Sequence, residues 1–365
     1  MYTAVTSEPR IAAVIVNWNR RDDLRNLLAD LHSQTESLDE ILVIDNGSTD
    51  GAPEMVSREY PDVRLKRMGV NLGFITARNL GVKLVQSDFV MFLDNDIRIL
   101  DTHFVSKARV SIRSHPEAGT ITFWLFEKQP NDSVLGPQSP VLSFAELSKY
   151  ARIGKAPVQM APYYGRFCSG GASIIRRDVC LTIGPFCTDF PYGFEETDFA
   201  YRCLAAGIGL LVDPTLWAVH LRSPQMRLAK APFVTSINQL IAHARYMPRF
   251  DFCLFLSASL LVHAAMAIRS RRISDVLEMW VDLAGSWRSK IAGRRRPVSR
   301  QTMRRWYFLA VHRPTVLKGV ENARTSALRY YWSHIGRSII NPRRRAPVSF
   351  LGEEASPSDQ SAWSS

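Results

Sequence analysis

The sequence predicts an α/β fold: a mostly parallel, doubly wound sheet flanked by helices, continued by a basic helical extension. Three observations carry this. Continuous apolar runs recur at residues 11–16, 41–44 and 89–93, as strands buried on both faces require. Segments of helical period separate them. The resulting β-α-β-α order is that of crossovers between parallel strands. Beyond residue 230 the strand signal stops and helical patterns take over.

Taken in order, residues 11–16 (IAAVIV) form the first strand, which ends at Asn17-Trp18-Asn19. A helix follows over 22–32, with Leu24, Leu27, Leu28 and Leu31 on one face. Residues 41–44 (ILVI) are the second strand and stop at Asp45. The turn from Gly47 to Gly51 leads to a helix start near Pro53. A weaker strand spans 63–66. Residues 75–85 place Ala77, Leu80, Gly81, Leu84 and Val85 on one helical face. Residues 89–93 (FVMFL) are a further strand, ending at Asp94-Asn95-Asp96. Residues 127–165 are loop-rich with several prolines. Gly170-Gly171 open a short strand to 175, and a helix over 194–206 begins with Glu195, Glu196 and Asp198. Residues 210–212 are another strand, with Trp217 and His220 shortly after. Three parts follow: a sheet domain over 1–228, a basic helical region over 229–345 and a disordered tail over 346–365, rich in Ser and Pro.

Charge is divided unevenly. Residues 1–220 carry a net −4 and residues 221–365 a net +16, within a total of +12. A basic second half points to an anionic partner. Residues 252–268 (FCLFLSASLLVHAAMAI) are apolar or small with one His, and Arg249, Arg269, Arg271 and Arg272 flank them. A bilayer span needs about 20 residues, so a core helix, an interfacial helix and a short span all stay open. Trp280, Trp287 and Trp306 alternate with Arg-rich segments such as Arg294-Arg295-Arg296. That mixture suits an anionic membrane surface. Nucleic acid is not the expected partner, because a nucleic-acid surface does not need basic residues interleaved with a long apolar run. The five cysteines are odd in number and lack CxxC spacing, which speaks against a zinc site or a disulfide framework. The first 19 residues lack a signal peptide's basic start. The expected location is the cytoplasmic face of the inner (plasma) membrane, peripheral or monotopic.

The polar clusters fall where such sheets bind ligands, outside the carboxyl ends of strands. Asp94 and Asp96, at i and i+2 after a buried strand, can face one divalent cation. Hard oxygen ligands suit Mg²⁺ or Mn²⁺, whose shell substrate phosphates complete. The bland alternative is an acidic turn in solvent. Likewise, acids in a first helical turn can simply favour the helix dipole, and Asp45 with Asn46-Gly47 can be a plain turn former.

Five segments in fixed order resemble family 2 glycosyltransferases with the GT-A fold: AVIVNWNRRDDL at 13–24, ILVIDNGSTDG at 41–51, NLGFITARNLG at 71–81, FVMFLDNDI at 89–97, and GFEETDFAYRCLAAG at 193–207 followed by His220. The likeness covers about 10–222 and leans toward bacterial, rhamnosyltransferase-like enzymes of surface polysaccharides. It implies inverting sugar transfer from a nucleoside-diphosphate donor to a glycan or lipid-linked acceptor. It implies that Asp94, Asp96 and His220 hold the metal, and that Asp45 bonds the nucleobase. Val16, Asn17 and Asn19 then line base and ribose, with Asn95 beside the metal pair. Arg78 helps to neutralise phosphate, and Gly171 borders the sugar. Glu196 is the base, with Glu195 second and Asp198 near.

Other nucleotide-binding classes fit less well. A dehydrogenase needs GxGxxG after a strand, and none is present. A nucleotidyltransferase is expected to open with a Gly-rich loop, where this chain has Asn-Trp-Asn-Arg. A catalytically inactive binding protein of this fold is the remaining alternative, and its hallmark would be loss of the paired acids or the base.

Overall fold

The computed structural model describes residues 8–128, 133–136, 142–190, 193–221, 231–270, 273–312 and 315. The tail over 346–365, together with Arg271 and Arg272, lies outside the described residues. The chain forms two compact units. One comprises Met1–Thr188 and Ala206–Gln225, and the other comprises Asp189–Ala205 and Met226–Arg313.

The first unit is a mixed α/β sheet structure. Its leading elements are β1 (Ile11–Asn17), α1 (Arg21–His32), β2 (Glu40–Asp45), α2 (Ala52–Glu59), β3 (Arg64–Arg67), α3 (Phe74–Leu84) and β4 (Phe89–Asp94). Then come β5 (Ile97–Arg98), α4 (Phe104–Ser114), β6 (Ala118–Lys128), β7 (Ser133–Leu135), β8 (Leu142–Ser143) and α5 (Phe144–Arg152). The unit closes with β9 (Tyr163–Tyr164), β10 (Ala172–Arg176) and α6 (Arg177–Ile183), and, after a segment of the second unit, β11 (Gly209–His220). The main sheet runs β3-β2-β1-β4-β10-β6-β11-β5. Strands β3, β2, β1 and β4 are parallel, while β10 runs antiparallel to both β4 and β6.

β1 is buried over Ile11 to Ile15, as its uninterrupted apolar run requires. Its Ile and Val side chains each contribute roughly 1.5–3 kcal/mol on burial. Helix α3 comes close to β1 because Gly81 has no side chain: a Cβ there would stand 2.4 Å from Val14 Cγ1. At the other side, Asp30 of α1 takes a two-pronged bond from Arg98 at 2.6 and 2.9 Å and accepts the Ile99 N–H at 3.0 Å. That pair pins the short strand β5.

Within 127–165, read from sequence as loop-rich, β6 continues to Lys128 and α5 starts at a full capping box. Ser143 Oγ accepts the Glu146 N–H, and Glu146 takes the Ser143 N–H in return. β11 runs unbroken past Pro214, with a register shift between Asp213 and Trp217 that absorbs the proline.

The second unit is helical: α7 (Glu195–Ala205), α8 (Ala231–Tyr246), α9 (Arg249–Ser270), α10 (Ile273–Ser286) and α11 (Arg300–Val311). Its centre is aromatic. Tyr201 of α7 stacks on Tyr246 and on Trp306, with centroids 5.2 and 5.9 Å away. Its hydroxyl lies 3.1 Å from His243 Nδ1. Outside, large apolar residues stand exposed on α9 (Phe250, Leu260, Leu261, Ile268) and on α10 (Ile273, Leu277, Val281). The α10 set recurs every four residues, one helical stripe. Among the described residues no helix is long and apolar enough to cross a membrane.

His263 of α9 is 3% exposed, and its ring meets Trp280 edge-on at 5.7 Å. Its Nδ1 has no hydrogen-bond partner among the described residues. Burial pushes its imidazole down to about 4. The unfolded chain takes up this proton near pH ~6.5, whereas the folded chain resists it until about pH 4. The contribution is therefore whole above pH ~6.5 and is lost as pH falls toward 4, by on the order of 3 kcal/mol. Urea unfolding measured from pH 7.5 down to 4.5 should show this loss, and His263→Leu should flatten it.

Candidate active site

The site begins with strand register. Asn17 at the end of β1 pairs with Asp45 of β2, and Val16 pairs with Asp94 of β4. The parallel strands stop level, so the polar residues that end each apolar run share one edge. β1 is also where strand order reverses, with β2 and β3 to one side and β4 to the other. Open α/β sheets bind ligands at such a switch point.

One half of the edge is a polar cradle. Buried Asn17 donates from Nδ2 to Ser48 Oγ at 3.2 Å and accepts from Asn95 Nδ2 at 2.7 Å. Asn19 sits at φ 51°, a conformation Asn tolerates. Its N–H donates to Ser48 Oγ at 3.0 Å, and its Oδ1 accepts the Thr49 N–H at 2.8 Å. Asn46 reaches the next loop, donating to Asn71 Oδ1 at 2.8 Å and accepting the Leu72 N–H at 3.0 Å. Asp45 is 3% exposed, and its Oδ2 accepts the Ser48 N–H at 3.1 Å. Its Oδ1 is buried with no hydrogen-bond partner among the described residues. An unmet buried acceptor costs ~1–3 kcal/mol, more when charged, and an incoming N–H would relieve it.

The other half is acidic. Buried Arg78 donates to Asp94 Oδ1 at 2.5 Å while lying 4.8 Å over the Phe74 ring. The Asp94 side chain remains 42% exposed. Gly171 makes room for it: a Cβ there would stand 2.1 Å from Asp94 Oδ2. The Gly171 carbonyl also accepts the Asp94 N–H at 2.9 Å. Asp96 meets His220 through sheet pairing. β11 lies antiparallel to β5 with His220 opposite Ile97, and parallel to β6 with His220 opposite Glu127. His220 Nε2 is 3.2 Å from Asp96 Oδ1, and its Nδ1 is 3.3 Å from Glu127. Arg20 stands 3.5 Å from the second Asp96 oxygen.

These neighbours govern protonation. Burial would lower the His220 imidazole, but hydrogen bonds and charge from Asp96 and Glu127 push it up to about 10. Burial would raise the Asp96 carboxyl, but the His220 bond, then the charges of His220 and Arg20, hold it below the usual range. Ser48, Asn71, Arg20 and Glu127 are site residues that sequence reasoning passed over. Arg20 directly follows Asn-Trp-Asn, which was its signal, whereas Glu127 stood at the start of a stretch read as loop.

Among the described residues, no group of three or more His, Cys, Asp or Glu side chains is gathered to hold a metal ion. The donor set fits a divalent cation of the other kind, bound by one or two carboxylates and completed by substrate phosphates. Asp94 and Asp96 would supply those carboxylates, and the Gly171 cradle leaves the first one open.

The acids of α7 belong to the second unit. Glu195 is buried and Glu196 half-buried. Asp198 is held on both oxygens, by the Tyr246 hydroxyl at 2.7 Å and by Arg202 at 2.8 and 3.0 Å. Its carboxylate is committed to holding the helix.

Residues 12–184 match glycosyl transferase family 2. The chain carries a family 2 glycosyltransferase domain. The N-acetylglucosaminyl-diphospho-decaprenol L-rhamnosyltransferase of Mycobacterium tuberculosis H37Rv is 42% identical over 69 residues, 19% of this chain and 22% of that protein. The validoxylamine A glucosyltransferase of Streptomyces hygroscopicus subsp. jinggangensis is 26% identical over 240 residues, 60% of this chain and 56% of that protein. The chain thus spans from about a fifth to under three fifths of these relatives' lengths. The crystal structure of GalNAc-T7 with UDP, GalNAc and Mn²⁺ superposes with TM-score 0.52 at 17% identity, over 70% of this chain and 51% of that one. The family 2 domain has the GT-A fold.

The Gly171 cradle yields a direct test. Gly171→Ala must displace the Asp94 carboxylate. Titration calorimetry with Mn²⁺ and a nucleoside diphosphate should show affinity reduced by ~10–100-fold, with the circular dichroism spectrum unchanged.

Proposed function

We propose that the protein transfers a sugar from a nucleoside-diphosphate donor to a hydroxyl of a glycan or lipid-linked acceptor, with inversion and with Mg²⁺ or Mn²⁺. The observation that carries this is the shared strand edge, which sets a buried, half-satisfied Asp45 carboxylate beside the Asp94–Asp96 pair. Asp45 and Asp94 lie two strands apart, ~10 Å at sheet spacing, the scale of a nucleoside diphosphate.

Asp45 Oδ1 accepts an N–H of the base, and Asn17 and Asn19 hold the loop that lines base and ribose with Val16. Arg78 steadies Asp94 and adds positive charge near the phosphates, while Asn95 ties the acidic turn to Asn17. Gly171 borders the transferred sugar. Asp94 and Asp96, with His220 beside them, would hold the cation, which supplies charge neutralisation for the departing diphosphate. Glu196 takes the acceptor's proton as its oxygen bonds the anomeric carbon and the bond to diphosphate breaks, with Glu195 as second choice. A base of this kind contributes roughly 10²–10⁴-fold. The Mn²⁺ named with GalNAc-T7 and the decaprenol-linked acceptor named for the mycobacterial relative support the cation and acceptor classes.

The acceptor class suggests where the protein works. The exposed apolar stripes of α9 and α10, in a region of net +16, suit the anionic, cytoplasmic face of the plasma membrane. In flotation with anionic vesicles the full-length protein should rise with the lipid. Leu261→Glu with Leu277→Glu should leave it in the dense fraction, and equal flotation of that variant would sink the membrane reading.

Nucleotide release from a panel of nucleoside-diphosphate sugars, with Mn²⁺, Mg²⁺ or EDTA, tests the reaction. One donor should turn over only with metal, and Asp96→Ala should lower the rate by ~10²-fold or more. Absence of turnover and of calorimetric binding for every donor would overturn the proposal.

A further inference from the structure

Helix α7 starts from a strained turn. Gly193 and Phe194 sit at φ 73° and 74°. A bulky residue at positive φ is an outlier, and it persists only where its surroundings hold it. The next two residues are Glu195 and Glu196.

Side chains of α8 hold this turn from both sides of the acids. Asn238, buried, donates from Nδ2 to the Gly193 carbonyl at 3.2 Å. The Tyr246 hydroxyl donates to Asp198 Oδ1 at 2.7 Å. Arg245, next to Tyr246, bonds Asp189 at 2.6 Å and lies 5.0 Å over the Phe190 ring. Asn238 lies about two turns before Arg245 and Tyr246, so its side chain leaves the same side of α8 as that pair. The end of α8 is fastened in turn. Arg245 Nε donates to the Lys290 carbonyl at 2.6 Å, and the N–H groups of Arg296 and Val298 donate to the carbonyls of Arg245 and Tyr246 at 2.8 Å each.

We propose that α8 is the positioning element for the base, with Asn238 and Tyr246 fixing the direction in which Glu196 presents its carboxylate. This rests on the assignment of the base to the Glu195–Glu196 pair. Helices that only bury apolar surface need no directed polar bonds to a turn at positive φ. Here one such bond ends two residues before the acid pair and another ends two residues after it. Loss of either lets the turn relax toward ordinary backbone angles and swings the acids. Neither side chain touches substrate, so donor affinity stays while turnover falls.

The test uses the full-length enzyme and the donor that turns over. Tyr246→Phe removes one oxygen and keeps the ring, and Asn238→Leu keeps the volume. Each should lower kcat by ~10–100-fold and leave the donor KM within about twofold, and neither should lower the residual rate of Glu196→Gln further. Equal losses in the wild-type and Glu196→Gln backgrounds would mark a merely structural role and overturn the inference. So would unchanged kcat in both variants while Glu196→Gln is inactive. Full activity of both Glu195→Gln and Glu196→Gln would instead overturn the base assignment, and this inference with it.

Discussion

The parallel register of β1 between β2 and β4 is the constraint on which the first unit's chemistry depends. Because side chains alternate along a strand, a slip of one residue would turn every one of them to the opposite face. The apolar run from Ile11 to Ile15 is buried on both faces, so a slip would turn Val14 away from Gly81, where the close fit of α3 depends on it, and is strongly disfavoured. The same lock that protects the core therefore brings Asn17 beside Asp45 and Val16 beside Asp94. The sheet then extends through β10, β6, β11 and β5, which delivers Gly171 and His220 to the same edge without any long loop having to find its place.

Electrostatics follows from that placement. Carboxylates crowded on one edge would repel unless cations stood nearby, and the acidic pair has them. Arg78 attends Asp94, while His220 and Arg20 attend Asp96. Asp96 stays ionised although buried, because burial and pairing pull in opposite directions and pairing prevails. Asp30 and Arg98 repeat the device further along and hold β5, the strand against which His220 is set.

Much of this was legible in the chain. Runs such as IAAVIV and FVMFL declare doubly buried strands, and the polar residues that end them declare the ligand edge. What stayed hidden was direction and distance. Periodicity cannot say that β10 runs antiparallel, and a two-residue strand such as β5 has no period at all. Pro214 made β11 look like two pieces, since the bulge that accommodates it has no local mark. Asp198 shows the limit most clearly. As a first-turn acid it looks the same in sequence whether solvated or buried, and the tyrosine that claims it lies 48 residues downstream.

The path of the chain through the two units has a consequence for how such proteins can be recombined. The chain leaves the sheet unit after Thr188, contributes α7 to the helical unit, returns at Ala206 to lay down β11, and leaves again after Gln225. A single crossover cannot exchange one unit for another. A break before residue 189 strips the sheet of β11, and a break after 225 parts α7 from α8. Exchanging the helical unit among relatives of this architecture therefore requires that the short excursion from Asp189 to Ala205 travel with the helices beyond it, as a linked cassette.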